Sequence, residues 1–153
     1  MKDMIKRIRE EREGFTLAEL LIVVAIIAVL VAIAIPVFNS QLEKSREATD
    51  AANLRSAYAV ASAEALTGKT VAAGPVKLTQ TQSGFTTEVK DSTIGGKKLG
   101  DLTGVEKDAN FYVTVTSDGT VNISASTPGA DVTVIDPVTG ESSTSSTSGG
   151  SSN

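Results

Sequence analysis

The sequence of 153 residues contains no cysteine, no histidine and no tryptophan, and these absences exclude several kinds of chemistry. Without cysteine there is no disulfide and no thiolate metal site, so the cellular compartment has to be inferred from other features. Without histidine the chain lacks the usual general base at neutral pH and the commonest metal ligand. Its many serines have no partner that would activate them as nucleophiles. The sequence therefore predicts neither an enzyme nor a bound metal or cofactor.

Aromatic residues are also scarce, and the charge is unevenly distributed. Four Phe and two Tyr leave a small folded domain little to fill its core. Residues 1–14 hold five basic and four acidic residues, whereas the rest of the chain holds nine basic and 14 acidic residues, a balance of −5. An acidic body without a basic stripe or stacking aromatic side chains lacks the electrostatic features of a nucleic-acid-binding surface. No nucleic-acid partner is predicted.

The apolar residues are concentrated in one run. Every residue from Leu20 to Ile35 is Ala, Val, Leu or Ile. The whole run covers residues 15–38, which as a helix would measure roughly 36 Å and would cross a hydrocarbon core of about 30 Å. The basic residues on its N-terminal side predict that residues 1–14 lie in the cytoplasm and the remainder outside. A single-pass anchor and a secretory signal cleaved after Ala34 both fit this composition.

One carboxylate, that of Glu19, disagrees with both of these interpretations. At the centre of a bilayer a carboxylate costs about 2.5–3.5 kcal/mol on insertion scales, and an intramembrane acid usually has a functional partner. No Lys or Arg occurs between Arg12 and Lys44, so the segment itself offers no cation. Cleavage between Gly14 and Phe15 would create an α-amino group with a reference pKa of about 8. That ammonium could neutralise a Glu19 carboxylate, most usefully that of an adjacent subunit.

The segment "GFTLAELLIVVAIIAVLVAIAIPVF" resembles the N-terminus of type IV prepilins and of the related type II secretion pseudopilins. In that family a prepilin peptidase removes a short charged leader after a glycine and N-methylates the new terminal residue. By position, Gly14 matches the cleavage glycine and Phe15 the methylated residue. Glu19 matches the glutamate needed for assembly. For Thr16 two roles stay open, a hydrogen bond back to the helix backbone and a part in the assembly site beside Glu19. Pro36 matches the proline that kinks the long helix.

The resemblance implies a structural subunit of a type IV pilus. The prepilin would span the membrane once with its N-terminus in the cytoplasm, and its helices would later form the core of an extracellular homopolymer on the cell surface. The implied partners are other copies of the chain, the lipid bilayer before assembly, prepilin peptidase, a membrane platform protein and an assembly ATPase. Two alternatives stay open, a type II secretion pseudopilin and a membrane-anchored extracellular binding domain. The lack of cysteine is typical of many Gram-positive pilins, which the chain also resembles over "SQLEKSREATDAANLRSAYA".

After the apolar run the sequence predicts an α+β head. Residues 39–67 lack Gly and Pro and carry one narrow apolar stripe at helical spacing. A long helix is therefore expected from about residue 15 through Pro36 to about residue 67, amphipathic in its second half. Residues 68–140 are expected to form a small antiparallel sheet packed on the stripe, and residues 141–153 to be disordered. The stripe consists of Ala51, Leu54, Tyr58, Ala61 and Ala65.

The predicted strands follow from alternation of apolar and polar residues. In "FYVTVTSDGTVNISAS", residues 111–126, the apolar side chains of two strands fall on one face, with a turn at Asp118–Gly119. Residues 131–136 are a further predicted strand, and residues 84–91 a weaker one. The inward-facing set is Phe111, Val113, Val115, Val121, Ile123 and Ala125.

The remaining charged residues are assigned no chemistry. Residues 43–47, "EKSRE", are predicted to form a solvated or inter-subunit helix face. A pair such as Glu43–Arg46 on that face would contribute only about 0.2–0.5 kcal/mol. The acidic loop residues fit no calcium-binding loop and are expected to be solvated; they are Asp101, Glu106, Asp108 and Asp118.

Overall fold

A computed structural model of the chain describes residues 16–144. It contains one long helix, α1 (Leu17–Ala65), followed by a head of short strands. The chain divides into two compact units at the boundary between Gln41 and Leu42, so each unit includes about half of α1. The helix predicted for residues 15–67 is confirmed to within two residues at its C-terminal end.

In the first unit, the described residues are almost entirely the apolar half of α1. All residues from 16 to 41 are exposed, including every large apolar side chain of the run. The helix continues through Pro36, which has no N–H to donate to the Ala32 carbonyl. The predicted kink at Pro36 stays a prediction. By length and composition, this helix contains a stretch that could cross a membrane.

The head consists of a five-stranded sheet and a separate hairpin. The main sheet has the strand order β5-β4-β1-β6-β7, and β2 pairs with β3. Short 3-10 turns precede and follow this hairpin, at Glu88–Asp91 and Leu99–Asp101. The strands are β1 (Val71–Lys77), β2 (Thr93–Ile94), β3 (Lys97–Lys98), β4 (Asn110–Val115), β5 (Val121–Ser124), β6 (Thr133–Ile135) and β7 (Ser142–Thr144).

The sheet is mixed, and the prediction of a purely antiparallel sheet is wrong in one pairing. β4 is antiparallel to β1 and β5, and β7 is antiparallel to β6, but β6 lies parallel to β1. Alternation along a strand reveals which side chains face the core, but not the direction of the neighbouring strand. The predicted α+β architecture, a long N-terminal helix with a small sheet, is confirmed.

The hairpin of β4 and β5 is confirmed, as is a strand within residues 131–136. Gly119 has a φ of +86° in the turn, and its N–H donates to the Thr116 carbonyl at 2.9 Å. Ala125 lies beyond the end of β5 and is exposed, so its predicted inward position is wrong. Strand β1, at the centre of the sheet, was not predicted.

Two boundaries also differ from the prediction. Residues 84–91 form no strand, since their only regular element is the 3-10 turn at Glu88–Asp91. Strand β7 lies within the tail predicted to be disordered, so that prediction is wrong for Ser142–Thr144. The side chains of β7 are exposed, which explains why no apolar pattern marked it. Residues 145–153 lie outside the described residues.

The core of the head lies between the second half of α1 and the sheet. Ala51, Leu54 and Ala61 of the predicted stripe are buried, and Tyr58 and Ala65 are partly buried against them. Burying an apolar side chain contributes roughly 25 cal/mol for each Å² removed from water, so this narrow stripe helps to hold α1 against the sheet. The buried side chains that face it from β4 and β5 are Phe111, Val113, Val115, Val121 and Ile123.

Three acidic residues extend the buried stripe toward the N-terminal end of α1. Glu43, Glu47 and Asp50 are spaced four and three positions apart, which places them on one face of the helix. Their exposed fractions are 4%, 0% and 0%, and we call them the carboxylate row. The prediction of a solvated or inter-subunit face is therefore wrong for Glu43 and Glu47. The Glu43–Arg46 pair is present, with 3.5 Å between Oε2 and Nη1.

The carboxylate row binds the irregular segment that follows β1, residues 79–87. Because these residues are not in a strand, their backbone N–H groups need acceptors from elsewhere. Four threonine hydroxyls of the same segment also donate to the row, at 2.6–2.9 Å. The backbone N–H groups of Thr79 and Gln80 donate to Asp50, those of Thr81 and Gln82 donate to Glu43, and those of Thr86 and Thr87 donate to Glu47, at 2.6–3.2 Å.

This arrangement predicts an acid-sensitive head. Burial raises the pKa of Glu47, but the hydrogen bonds from Thr87 and Thr86 outweigh burial and hold that pKa below its ordinary value of 4.5. Burial likewise raises the pKa of Glu43, but the hydrogen bonds from Thr81 and its neighbours have the larger effect. The pKa of Glu43 is therefore also below its ordinary value. A carboxylate with a lowered folded-state pKa stabilises the fold fully above its unfolded-state value, and that contribution is lost as the pH falls through the folded-state value.

We therefore expect the free energy of unfolding of the full chain in detergent to fall as the pH drops below about 4.5. Urea denaturation at stepped pH values measures this slope. A Glu43→Gln/Glu47→Gln double variant should show a shallower slope, although other carboxylates still contribute to it. An unchanged slope in that variant would show that the row does not carry the acid sensitivity.

Candidate assembly site at the start of the long helix

The first turn of α1 is closed by two reciprocal hydrogen bonds between Thr16 and Glu19. The backbone N–H of Glu19 donates to Thr16 Oγ1 at 3.2 Å, and the backbone N–H of Thr16 donates to Glu19 Oε2 at 2.8 Å. Thr16 is the N-cap residue and Glu19 the third residue of the helix, an arrangement known as a capping box. It satisfies two backbone donors that the start of a helix otherwise leaves without partners.

The capping box also orients the Glu19 carboxylate. Oε2 is held by the Thr16 amide, whereas Oε1 accepts no hydrogen bond from any residue between 16 and 144. The ion pairs of the described residues are Lys44–Glu88, Arg46–Glu43 and Lys77–Asp108, so Glu19 has no cation partner there. One oxygen of an exposed carboxylate is thus left available to a cation from another molecule.

The structure therefore brings Thr16 and Glu19 together. The sequence indicates correctly that the segment offers Glu19 no cation, but the Thr16 amide donates a hydrogen bond to the carboxylate that sequence reasoning missed. The pattern Thr-x-x-Glu directly before an apolar run is a readable signal of a capping box. Gly14 and Phe15, the predicted cleavage and methylation positions, lie outside the described residues.

Behind the capping box, α1 presents a continuous apolar surface. The large apolar side chains from Leu17 to Phe38 are between 47% and 82% exposed. An uninterrupted apolar surface of this extent marks a segment that lies in a membrane or packs against other proteins. The carboxylate of Glu19 lies near the N-terminal end of that surface.

The acidic loop residues do not form a second candidate site, such as a metal site. Asp108 pairs with Lys77 at 2.9 Å, and Asp118 accepts the backbone N–H of Thr120 at 3.0 Å within the β4–β5 turn. Within residues 16–144, no cluster of three or more acidic side chains is arranged to hold a metal ion.

Comparison with known proteins places this site in a defined class. Residues 11–35 match the family model for the prokaryotic N-terminal methylation motif. The chain is 48% identical over 56 residues to the type IV narrow pilus major component PilA5 of Thermus thermophilus. That alignment covers 35% of this chain and 48% of the relative, so the chain spans about half the length of the curated relative it matches. No solved structure matches the chain significantly.

The chain thus belongs to the class of proteins that carry an N-terminal methylation motif on a long apolar helix. With its α+β head and its similarity to a pilus component, it resembles type IV pilins.

Proposed function

We propose that this chain is the prepilin of a type IV pilus and that its N-terminal helix forms the filament core. A prepilin peptidase would cut between Gly14 and Phe15 and methylate the amine of Phe15. The observation that carries the proposal is the coincidence of the methylation motif, residues 11–35, with an exposed apolar helix that begins at the Thr16–Glu19 capping box.

The apolar surface of α1 must be shielded from water both before and after assembly. Before assembly the lipid bilayer supplies it, with residues 1–14 on the cytoplasmic side. After assembly, neighbouring helices supply it, and transfer from lipid to helix contacts gains little hydrophobic energy. Close packing and specific contacts must therefore drive association, and small side chains allow helices to approach. The alanines that favour close approach are Ala25, Ala28, Ala32 and Ala34.

The Glu19 carboxylate supplies the directional contact. The Thr16 amide holds Oε2, so Oε1 can accept the ammonium of Phe15 from a neighbouring subunit. An N-methylated amine stays cationic at neutral pH, because its reference pKa is about 8. In a water-poor filament core an unpaired carboxylate is expensive, so subunits that dock out of register are disfavoured.

Assembly of this kind needs machinery beyond the chain. A membrane platform protein and an assembly ATPase are the proposed partners besides prepilin peptidase and other copies of the chain. The proposed location is the cell membrane before assembly and the cell surface, as an extracellular filament, afterwards.

The mass of the mature subunit tests this proposal. Filaments sheared from cells that express the chain should contain a species that begins at N-methylated Phe15, identified by intact-mass and N-terminal peptide analysis. A Gly14→Val variant should keep the leader and yield no filaments. A surface protein that begins at Ile35, or an unprocessed anchored protein that begins at Met1, would contradict the proposal and favour a secreted or anchored binding domain.

A further inference from the structure

The charges of the head are segregated along the sequence. Residues 68–107 contain six basic and four acidic residues. From residue 108 to the end of the chain there is no Lys or Arg, and five acidic residues remain. Strands β4 to β7 come from the second of these regions and contain no Lys or Arg, whereas strand β3 comes from the first and consists of Lys97 and Lys98. The five acidic residues are Asp108, Asp118, Asp131, Asp136 and Glu141.

An acid-lined cavity lies on the part of the sheet that ends at the β7 edge. It has a volume of about 670 Å³ and is lined by residues of β6 and β7 together with Gly74 and Pro75 of β1 and Tyr112 of β4. Asp136 and Glu141 line it together with the hydroxyl-bearing residues Ser142 and Ser143, and its lining includes no basic residue.

The two carboxylates of this cavity differ in the hydrogen bonds that they accept. Asp136 Oδ1 accepts the backbone N–H groups of Thr139 and Val138, which lower the pKa of this carboxyl. The Glu141 carboxylate accepts no hydrogen bond from the residues that the structure describes. The ring of Tyr112 lies against Gly74, where an added Cβ would come within 2.7 Å of the ring. A cavity lined by carboxylates and an aromatic ring can bind an ammonium group, which pairs with the carboxylates and lies against the face of the ring.

The opposite edge of the sheet carries exposed lysines. β5 is the edge strand there, and the β2–β3 hairpin packs beside it, with Gly95 against the side chain of Val121. Lys97 and Lys98 are exposed and line a cavity of about 330 Å³ with β5, in which Asp101 is the one acidic residue. At about 4.8 Å between neighbouring strands, β5 and β7 are roughly 19 Å apart, so the two edges of one head cannot meet each other.

We propose that the acid-lined cavity is a docking site for the Lys97–Lys98 hairpin of a second copy of this chain. The proposal rests on the proposed function, because a filament is built from heterologous contacts, in which one surface of a subunit binds a different surface of the next. The two carboxylates of the acid-lined cavity and the two lysines beside β5 supply two different surfaces of opposite charge. Two copies of the acid-lined cavity would repel each other, so this surface does not form a closed symmetric dimer with itself.

Carbodiimide cross-linking of assembled filaments tests the contact. The reagent activates a carboxylate, the amine of a touching lysine attacks it, and an amide forms with net loss of one water. We expect a Glu141–Lys97 or Glu141–Lys98 cross-linked peptide in the mass spectrum. A Glu141→Gln variant should lose it by at least tenfold, whereas a Glu106→Gln variant, which removes an exposed carboxylate elsewhere on the head, should retain it.

A charge-reversal series supplies a second measurement. Glu141→Lys and Lys98→Glu should each lower the yield of filaments several-fold, and the two together should restore part of that loss. Neither change removes a side-chain hydrogen bond of the described residues, so both variants are expected to fold. Filaments without the Glu141–lysine link, or single reversals without effect, would overturn the docking proposal and leave the proposed function intact. Failure of the unaltered chain to form filaments would overturn both.

Discussion

A Glu19→Ala variant is expected to be processed to Phe15 like the unaltered chain but to give at least about tenfold fewer filaments. The change removes a carboxylate whose Oε1 has no partner among the described residues and is free for the ammonium of a neighbour. A hydrogen bond to a charged group contributes about 1.5–3 kcal/mol, and each 1.4 kcal/mol corresponds to about a factor of ten. Filament yield is measured by shearing and quantitative blotting, with leader removal checked by mass.

Three further variants separate the charge of Glu19 from its role in the capping box. Glu19→Gln keeps an acceptor for the Thr16 amide, since glutamine also forms a capping box, but it cannot pair with an ammonium. Thr16→Ala leaves the carboxylate and removes the hydroxyl that accepts the Glu19 N–H, which costs about 1 kcal/mol of helix stability. We expect Glu19→Gln to fail like Glu19→Ala, and Thr16→Ser to behave like the unaltered chain. Normal assembly of Glu19→Gln would show that the cap, and not the charge, matters.

A Glu47→Ala variant is expected to lower the free energy of unfolding of the head by about 2–4 kcal/mol. Glu47 is fully buried, and its carboxylate accepts hydrogen bonds from the N–H and hydroxyl groups of both Thr86 and Thr87. Hydrogen bonds to a charged group contribute about 1.5–3 kcal/mol each, and the loss is partly offset because the freed threonine groups regain water. The measurement is urea denaturation of the full chain in detergent, followed by circular dichroism.

The matched control for Glu47 is Glu64→Ala. Glu64 lies in the same helix, is exposed, and has no side-chain hydrogen bond within residues 16–144. Its replacement should change the free energy of unfolding by less than about 0.5 kcal/mol, as for most surface positions. Equal effects of the two substitutions would show that the buried carboxylate of Glu47 contributes no more to stability than an exposed one. The carboxylate row would then have no special role.

Much of the N-terminal half of this protein could be predicted because its determinants are local. The apolar run is an uninterrupted stretch of sequence, and the stripe of Ala51, Leu54 and Ala61 repeats at the spacing of one helix face. The Thr16–Glu19 capping box also spans only three positions. In the head, the β4–β5 hairpin was predictable for the same reason, since its two strands are joined by a short turn with glycine at positive φ.

The sequence by itself therefore determined the apolar helix, its charged first turn and the helix stripe that holds the sheet, because each depends on residues close together in the chain. Only the tertiary structure decided the burial of the carboxylate row, whose hydrogen bonds join residues 29 to 40 positions apart. It also decided the parallel pairing of β1 with β6 and the position of Asp136 and Glu141 in one cavity. A glutamate is expected at the surface until the backbone donors that satisfy it are known, and those donors belong to a segment that only folding brings near.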